Sequence, residues 1–142
     1  AIGYHKSITD DPVQAYDFVN ATCPSLLPGL KFANSALEPS QLMECLNVEK
    51  ILYLEILATS SLHRGRGIAS KLLHQFVNLG KVLQERVIAS VATSFITRRM
   101  FEKAKWTPTG QTMFYKDFKI NNQLVFGDTG IDDRAVAFYV KL

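Results

Sequence analysis

Arg64-Gly65-Arg66-Gly67 is the stretch of this chain best suited to chemistry with an anion. Two guanidinium groups alternate with glycines, which let backbone N–H groups approach a bulky ligand because no Cβ stands in the way. A helical apolar period follows at once. Ile68, Leu72, Leu73, Phe76, Leu79 and Leu83 fall on one stripe, so the spacing predicts a helix from Ile68 to about Gln84. A helix start leaves four N–H groups without intrahelical partners and carries partial positive charge. The arrangement suits a pyrophosphate or similar anion, each dipole contact contributing roughly 0.3–1 kcal/mol. The alternative is a tight turn whose arginines are merely solvated. The turn alone weighs the two equally.

Two familiar phosphate loops do not fit. No Gly-x-x-x-x-Gly-Lys-Ser/Thr run exists. The dinucleotide fingerprint fails as well, because Gly65-x-Gly67 is followed by Ser70 where its third glycine belongs. That fingerprint also wants an acid ending the next strand, and the nearest, Glu85, precedes that strand.

A second candidate group lies upstream. Ile51 to Ala58 is a near-continuous apolar run, the pattern of a strand covered on both faces, yet Glu55 sits inside it. An acid there is costly unless used or paired. Tyr53 and Glu55 share a face by the two-residue period of a strand. Glu55 is either a working carboxylate or one paired with an arginine or reaching solvent at a sheet edge.

The elements that must hold these residues follow from periodicity. Ala1 to Ile8 reads as a short strand, and Asp10-Asp11-Pro12 as the start of a short helix ending before Cys23-Pro24. Residues 25–46 suggest two short helices broken at Glu38-Pro39. After the helix at Ile68, which tolerates Gly80 at a cost of roughly 1 kcal/mol relative to alanine, Val87 to Val91 is the next strand. Ser94 to Lys103 is a helix with Phe95, Ile96, Met100 and Phe101 apolar. Thr112 to Ile120 reads as a strand, and Val136 to Leu142 alternates as the last one. The second half is thus strand, helix, strand, helix, strand, strand, an α/β fold on a mixed sheet.

Composition agrees with one globular domain over residues 1–142. Hydrophobic residues make up 47% and charged ones 20%. No apolar run is long enough for a membrane span, and no basic segment followed by an apolar one opens the chain. Two cysteines, Cys23 and Cys45, are read as reduced, half-buried side chains of a cytoplasmic protein. No spacing suggests a metal site, and His5, His63 and His74 read as solvated. The net charge of +3 and pI of about 8.9 suit an anionic small ligand. Arg98, Arg99, Lys103 and Lys105 read as a solvated helix face, with contact to a nucleotide phosphate as a secondary role. They lack the aromatic platform of a nucleic-acid binder.

Arg64-x-x-Gly67-x-Ala69 resembles the Arg/Gln-x-x-Gly-x-Gly/Ala motif of the GNAT superfamily of acyl-CoA-dependent N-acetyltransferases. The resemblance extends from the strand at Ile51 to Leu142 in the order of elements. Leu62 to Leu73, and the ending from Tyr115 to Leu142, are most similar to the arylalkylamine N-acetyltransferases of the insect and nematode kind. The resemblance implies a three-layer α/β/α fold with a splayed mixed central sheet. It implies acetyl-CoA as co-substrate, its pyrophosphate held by the amides of Arg64, Gly65, Arg66, Gly67, Ile68 and Ala69. The backbone of Leu57, Ala58 and Thr59 would pair with pantetheine. Thr59 stands where Val is usual and Ser61 where Pro is usual, both mild departures because backbone groups do the binding.

Acetyl transfer needs a neutral amine, donors for the developing oxyanion and a proton for the departing thiolate. From the resemblance, Glu55 is the candidate base, with Tyr53 beside it. Many relatives place a tyrosine where this chain has Phe101, which has no hydroxyl to donate but stays near the cofactor. Insect-type relatives use serines nearby, and Thr97 matches one such position. The expected activity is transfer of acetyl to a small primary amine, an arylalkylamine among them, directly in a ternary complex. The competing expectation is a CoA-binding protein without competent chemistry. The superfamily's opening strand and helices find no counterpart before Ala1, so the sequence reads as an N-terminally incomplete domain. A partner chain covering the exposed edge, as in a homodimer, is the companion expectation.

Overall fold

The structure is a computed structural model and describes residues 2–7 and 24–142. Its sheet has five strands: β1 (Ile2–Ser7), β2 (Lys50–Ile56), β3 (Val87–Ala92), β4 (Thr107–Phe114) and, after a small hairpin of β5 (Lys119–Ile120) and β6 (Gln123–Leu124), β7 (Arg134–Lys141). The order is β1-β2-β3-β7-β4, with β2 and β3 parallel and every other pair antiparallel. The helices are α1 (Leu27–Ser35), α2 (Pro39–Leu46), α3 (Ile68–Val82) and α4 (Phe95–Lys103). The helix expected after Pro12, and Cys23, lie outside the described residues.

Strand alternation explains the unbroken apolar run of β2. Ile51 and Tyr53, with Val87, Ala89 and Ala137, pack against Leu37 and against Leu42 and Met43 of α2. Leu52 and Leu54, with Ile88 and Phe138, pack on the opposite face against Leu73 and Phe76 of α3 and Phe101 of α4. Both faces are covered, so Ile51 to Leu54 are all buried and Glu55 is the one charged residue between the strand's ends. The result is the expected three-layer α/β/α arrangement. Burial of each such large side chain stabilises by roughly 1.5–3 kcal/mol.

Local signals set the boundaries. Pro39 opens α2 at its first turn, and Asn47 closes it in the left-handed conformation at φ 52°. Gly80 has a packing reason: an added Cβ would stand 2.7 Å from Leu142 Cδ1 and 2.9 Å from Ile88 Cδ1. A side chain there would require the ends of Leu142 and Ile88 to shift, so glycine lets the helix sit close on the sheet.

Three expectations need correction. The strand expected at Thr112–Ile120 runs instead from Thr107 to Phe114 and gives way to a 3-10 turn at Tyr115–Asp117. Pro108 and Gly110 disguise its first half; β4 is an edge strand with an irregularity between Pro108 and Thr112, where proline is tolerated. Cys45 is exposed rather than half-buried, because α2 turns its Leu42–Met43 side inward. Arg98 is 7% exposed, not solvated, because it pairs with a residue far along the chain.

Candidate functional site

β2 and β3 pair over only three rungs, Leu52 with Ile88, Tyr53 with Ala89 and Leu54 with Ser90. Beyond them β2 continues on β1, with Ile56 opposite Ile2, while β3 continues on β7, with Ala92 opposite Val136. The two parallel strands therefore part company after Leu54 and Ser90. The Ser90 hydroxyl donates to the Leu54 carbonyl at 2.8 Å at that rung.

A cleft of about 1360 Å³ opens beside this divergence. Leu57, Ala58 and Thr59, the residues just past β2, line one side. The turn into α3 lines another, with Gly65 at φ +76° and Gly67 at φ +71°. Those left-handed angles are what glycine is needed for, and a Cβ at either position would stand in open space. Gly67 is the N-cap of α3, and among the described residues no side chain caps that end. No acidic residue occupies the first turn either. A 15-residue helix thus presents uncapped amides and its positive end to the cleft, with Arg64 beside them. Thr59 Oγ1 is buried without a hydrogen-bond partner among the described residues.

The start of α4 forms the far wall. Ser94 accepts from the Thr97 N–H at 3.2 Å, and its hydroxyl lies 2.9 Å from Thr97 Oγ1. Asp132 Oδ1 accepts the Phe95 N–H at 2.5 Å. Arg98 holds the same loop, donating from Nη2 to Asp133 Oδ1 at 2.9 Å and to the Ile131 carbonyl at 3.4 Å. Tyr115 completes the frame: its hydroxyl donates to the Thr93 carbonyl at 2.7 Å, and its ring stacks on Phe32 with centroids 4.0 Å apart. Burial, then the charge of Asp132, push the Tyr115 phenol above its ordinary pKa.

The residues singled out in the sequence separate into groups. Leu57, Ala58, Thr59, Arg64, Gly65, Gly67, Ile68, Ala69 and Thr97 line this one cleft. Arg66 is exposed and does not line it. Tyr53 is 2% exposed in the core on the α1–α2 face, and half-buried Glu55 follows it on that face by strand alternation. Neither lines the cleft. Phe101, expected at the cofactor, is instead a core residue. It is 1% exposed, stacked on Trp106 at 4.7 Å and edge-on to Phe138 at 5.5 Å. The sequence reading missed Ser94 and Asp132. Ser94 had a signal, a serine just before an apolar helical run. Asp132 had none, because only the folded loop brings it to α4. Among the described residues no group of three His, Cys, Asp or Glu could hold a metal, and no helix is long and apolar enough to cross a membrane.

No protein-family model matches the sequence, and no curated protein matches it. Solved structures do match. Arylalkylamine N-acetyltransferase 2 of Aedes aegypti is similar with a TM-score of 0.76 at 18% identity, over 99% of this chain and 66% of its own. Polyamine N-acetyltransferase of Drosophila melanogaster, an enzyme that catalyses formation of N-acetylagmatine, follows at 0.75 and 17%, over 99% and 68%. NAA60 of Arabidopsis thaliana, solved with acetyl-CoA, reaches 0.53 at 16%, over 78% and 60%. The chain spans 66% of the mosquito enzyme's length. At these identities the likeness shows the fold, which is the GNAT N-acetyltransferase fold.

Proposed function

We propose that a chain of this fold binds acetyl-CoA in the cleft and acts as an N-acetyltransferase on a small primary amine, by direct transfer in a ternary complex. One geometric fact carries the proposal. The uncapped start of α3 and the divergence of β2 from β3 open on the same cleft. A pyrophosphate fits the first, and the backbone of Leu57–Thr59 along the cleft wall suits an extended arm that pairs like an added strand. The orphaned Thr59 hydroxyl is a further polar group in that wall. Neighbouring structures named for arylalkylamine, polyamine and agmatine acetyl transfer support a primary amine as the acceptor class.

When bound, acetyl-CoA supplies an acetyl group activated as a thioester. The amides from Arg64 to Ala69 and the Arg64 guanidinium hold the pyrophosphate. Arg99 and Lys103, both on the cleft wall, supply charge for a further phosphate. An alkylamine with a pKa near 10.4 requires roughly 4–5 kcal/mol to deprotonate at neutral pH. Glu55, on the α1–α2 face of the same strand and outside the cleft lining, accepts that proton through water. Thr97 Oγ1, paired with Ser94 Oγ, is the hydroxyl available to protonate a leaving group.

The reading is tested by mixing acetyl-CoA with tryptamine-, dopamine- and polyamine-like amines while free thiol is followed and binding is read by thermal shift. Amine-dependent thiol release supports it. A second reading, a CoA-binding protein without turnover, is favoured by the burial of Phe101 with no tyrosine hydroxyl at that position. Binding without thiol release from any amine would favour that second reading; no binding at all would sink both.

A further inference from the structure

We propose that Asp132 holds the acceptor nitrogen that is to be acetylated, pairing with it as an ammonium before it reacts. The assignment rests on the acetyltransferase reading and adds to it the residue that receives the amine.

Among the described residues Asp132 is the only carboxylate lining the cleft. The other ionisable side chains on its walls are His63, Arg64, His74, Arg99 and Lys103, which suit a polyanion. The signs are segregated along α4. Asp132 sits at Phe95, whereas Arg99 and Lys103 follow roughly 6 and 12 Å further along the axis at 1.5 Å per residue. A negative group at that end repels phosphates and attracts a cation.

Capping uses only part of this acid. Ser94 caps the helix through the Thr97 N–H, and the positive end of α4 favours a carboxylate on the Phe95 N–H, which engages Oδ1 alone. Only one carboxylate oxygen is used. Among the described residues the Asp132 carboxylate makes no other hydrogen bond or ion pair; its backbone N–H donates to the Thr129 carbonyl at 3.2 Å. The side chain is also held in place, because its neighbours Ile131 and Asp133 are both bound by buried Arg98. A fixed, half-buried carboxylate beside the Ser94–Thr97 hydroxyl pair is an ammonium site at the end of the cleft where a proton donor waits. Glu55 lies on the other face of β2 and does not line the cleft, so holding the nitrogen and taking its proton fall to different acids.

Asp132→Asn separates charge from capping, since the amide oxygen still accepts the Phe95 N–H. The expected result is a melting temperature lowered by no more than a few degrees and acetyl-CoA affinity within two-fold of wild type. KM should rise ten-fold or more for both 2-phenylethylamine and 1,4-diaminobutane. Asp132→Ala should add a fall in melting temperature. Saturation-transfer NMR of 2-phenylethylamine on CoA-saturated protein gives a readout independent of turnover, and the Asn variant should bind it at least ten-fold more weakly. Equal amine binding by wild type and variant, or none by either, overturns the assignment while leaving CoA binding intact. A KM rise for the diamine alone also overturns it, because Asp132 would then read a distal charge. If wild type binds no acetyl-CoA, the acetyltransferase reading falls and the assignment falls with it.

Discussion

The hydroxyl of Ser90 donates to the carbonyl of Leu54 at 2.8 Å, at the last rung where β2 and β3 pair. A side chain thus serves a strand carbonyl at the point where the sheet begins to open. The opening is built into the core, since Ser90 is 4% and Leu54 1% exposed. Ser90→Ala leaves this buried carbonyl without that donor, which costs about 1–3 kcal/mol. Chemical denaturation should show the loss as a lower midpoint at unchanged slope.

Gly67→Ala places a Cβ in a left-handed residue at the cap of α3, a conformation that costs roughly 1–2 kcal/mol for a non-glycine residue. Both stability and acetyl-CoA affinity should fall. Arg64→Ala removes an exposed cation and no packing, so affinity alone should drop, several-fold and more at low salt than at high. Calorimetric titration alongside thermal melts separates the two effects.

Glu55→Gln keeps the shape of the side chain and removes its basicity. Turnover should fall by ten-fold or more at neutral pH while acetyl-CoA affinity stays within two-fold, as read by steady-state kinetics and titration. Equal activity would remove Glu55 as the base.

Tyr115 gives a pH signature. Its pKa is raised in the folded protein above the ordinary value of 10.0, by burial first and the Asp132 charge second. Between the unfolded and folded values the native state binds more protons than the unfolded one, so stability falls as pH rises. Its contribution is complete below about pH 10 and is lost as pH climbs through the folded value. Tyr115→Phe should be less stable than wild type at pH 8. It should also lose less on going to pH 11, as measured by denaturant melts.

Periodicity and composition made β2, the glycine turn, α3 and α4 legible, because each is written in one run of consecutive residues. Register is written elsewhere. Nothing near Leu54 announces that its pairing with β3 stops there, since that depends on how β3 sits on β7. Arg98 reads as solvated on its own helix, and only Asp133 and the Ile131 carbonyl, brought back by the loop before β7, explain its burial. Asp132 reaches α4 by the same loop. The family resemblance puts Phe101 at the cofactor, but the ring faces Trp106 and Phe138. The α4 positions that reach the cleft are Phe95, Ile96, Thr97, Arg99, Met100 and Lys103.

Hydrogen exchange of the protein with and without acetyl-CoA tests most directly that this cleft is the cofactor site. Acetyl-CoA should protect the amides of Leu57–Thr59 and Arg64–Ser70 together, and leave the β5–β6 hairpin unchanged. Protection elsewhere, or none in those two segments at saturating acetyl-CoA, would contradict the account.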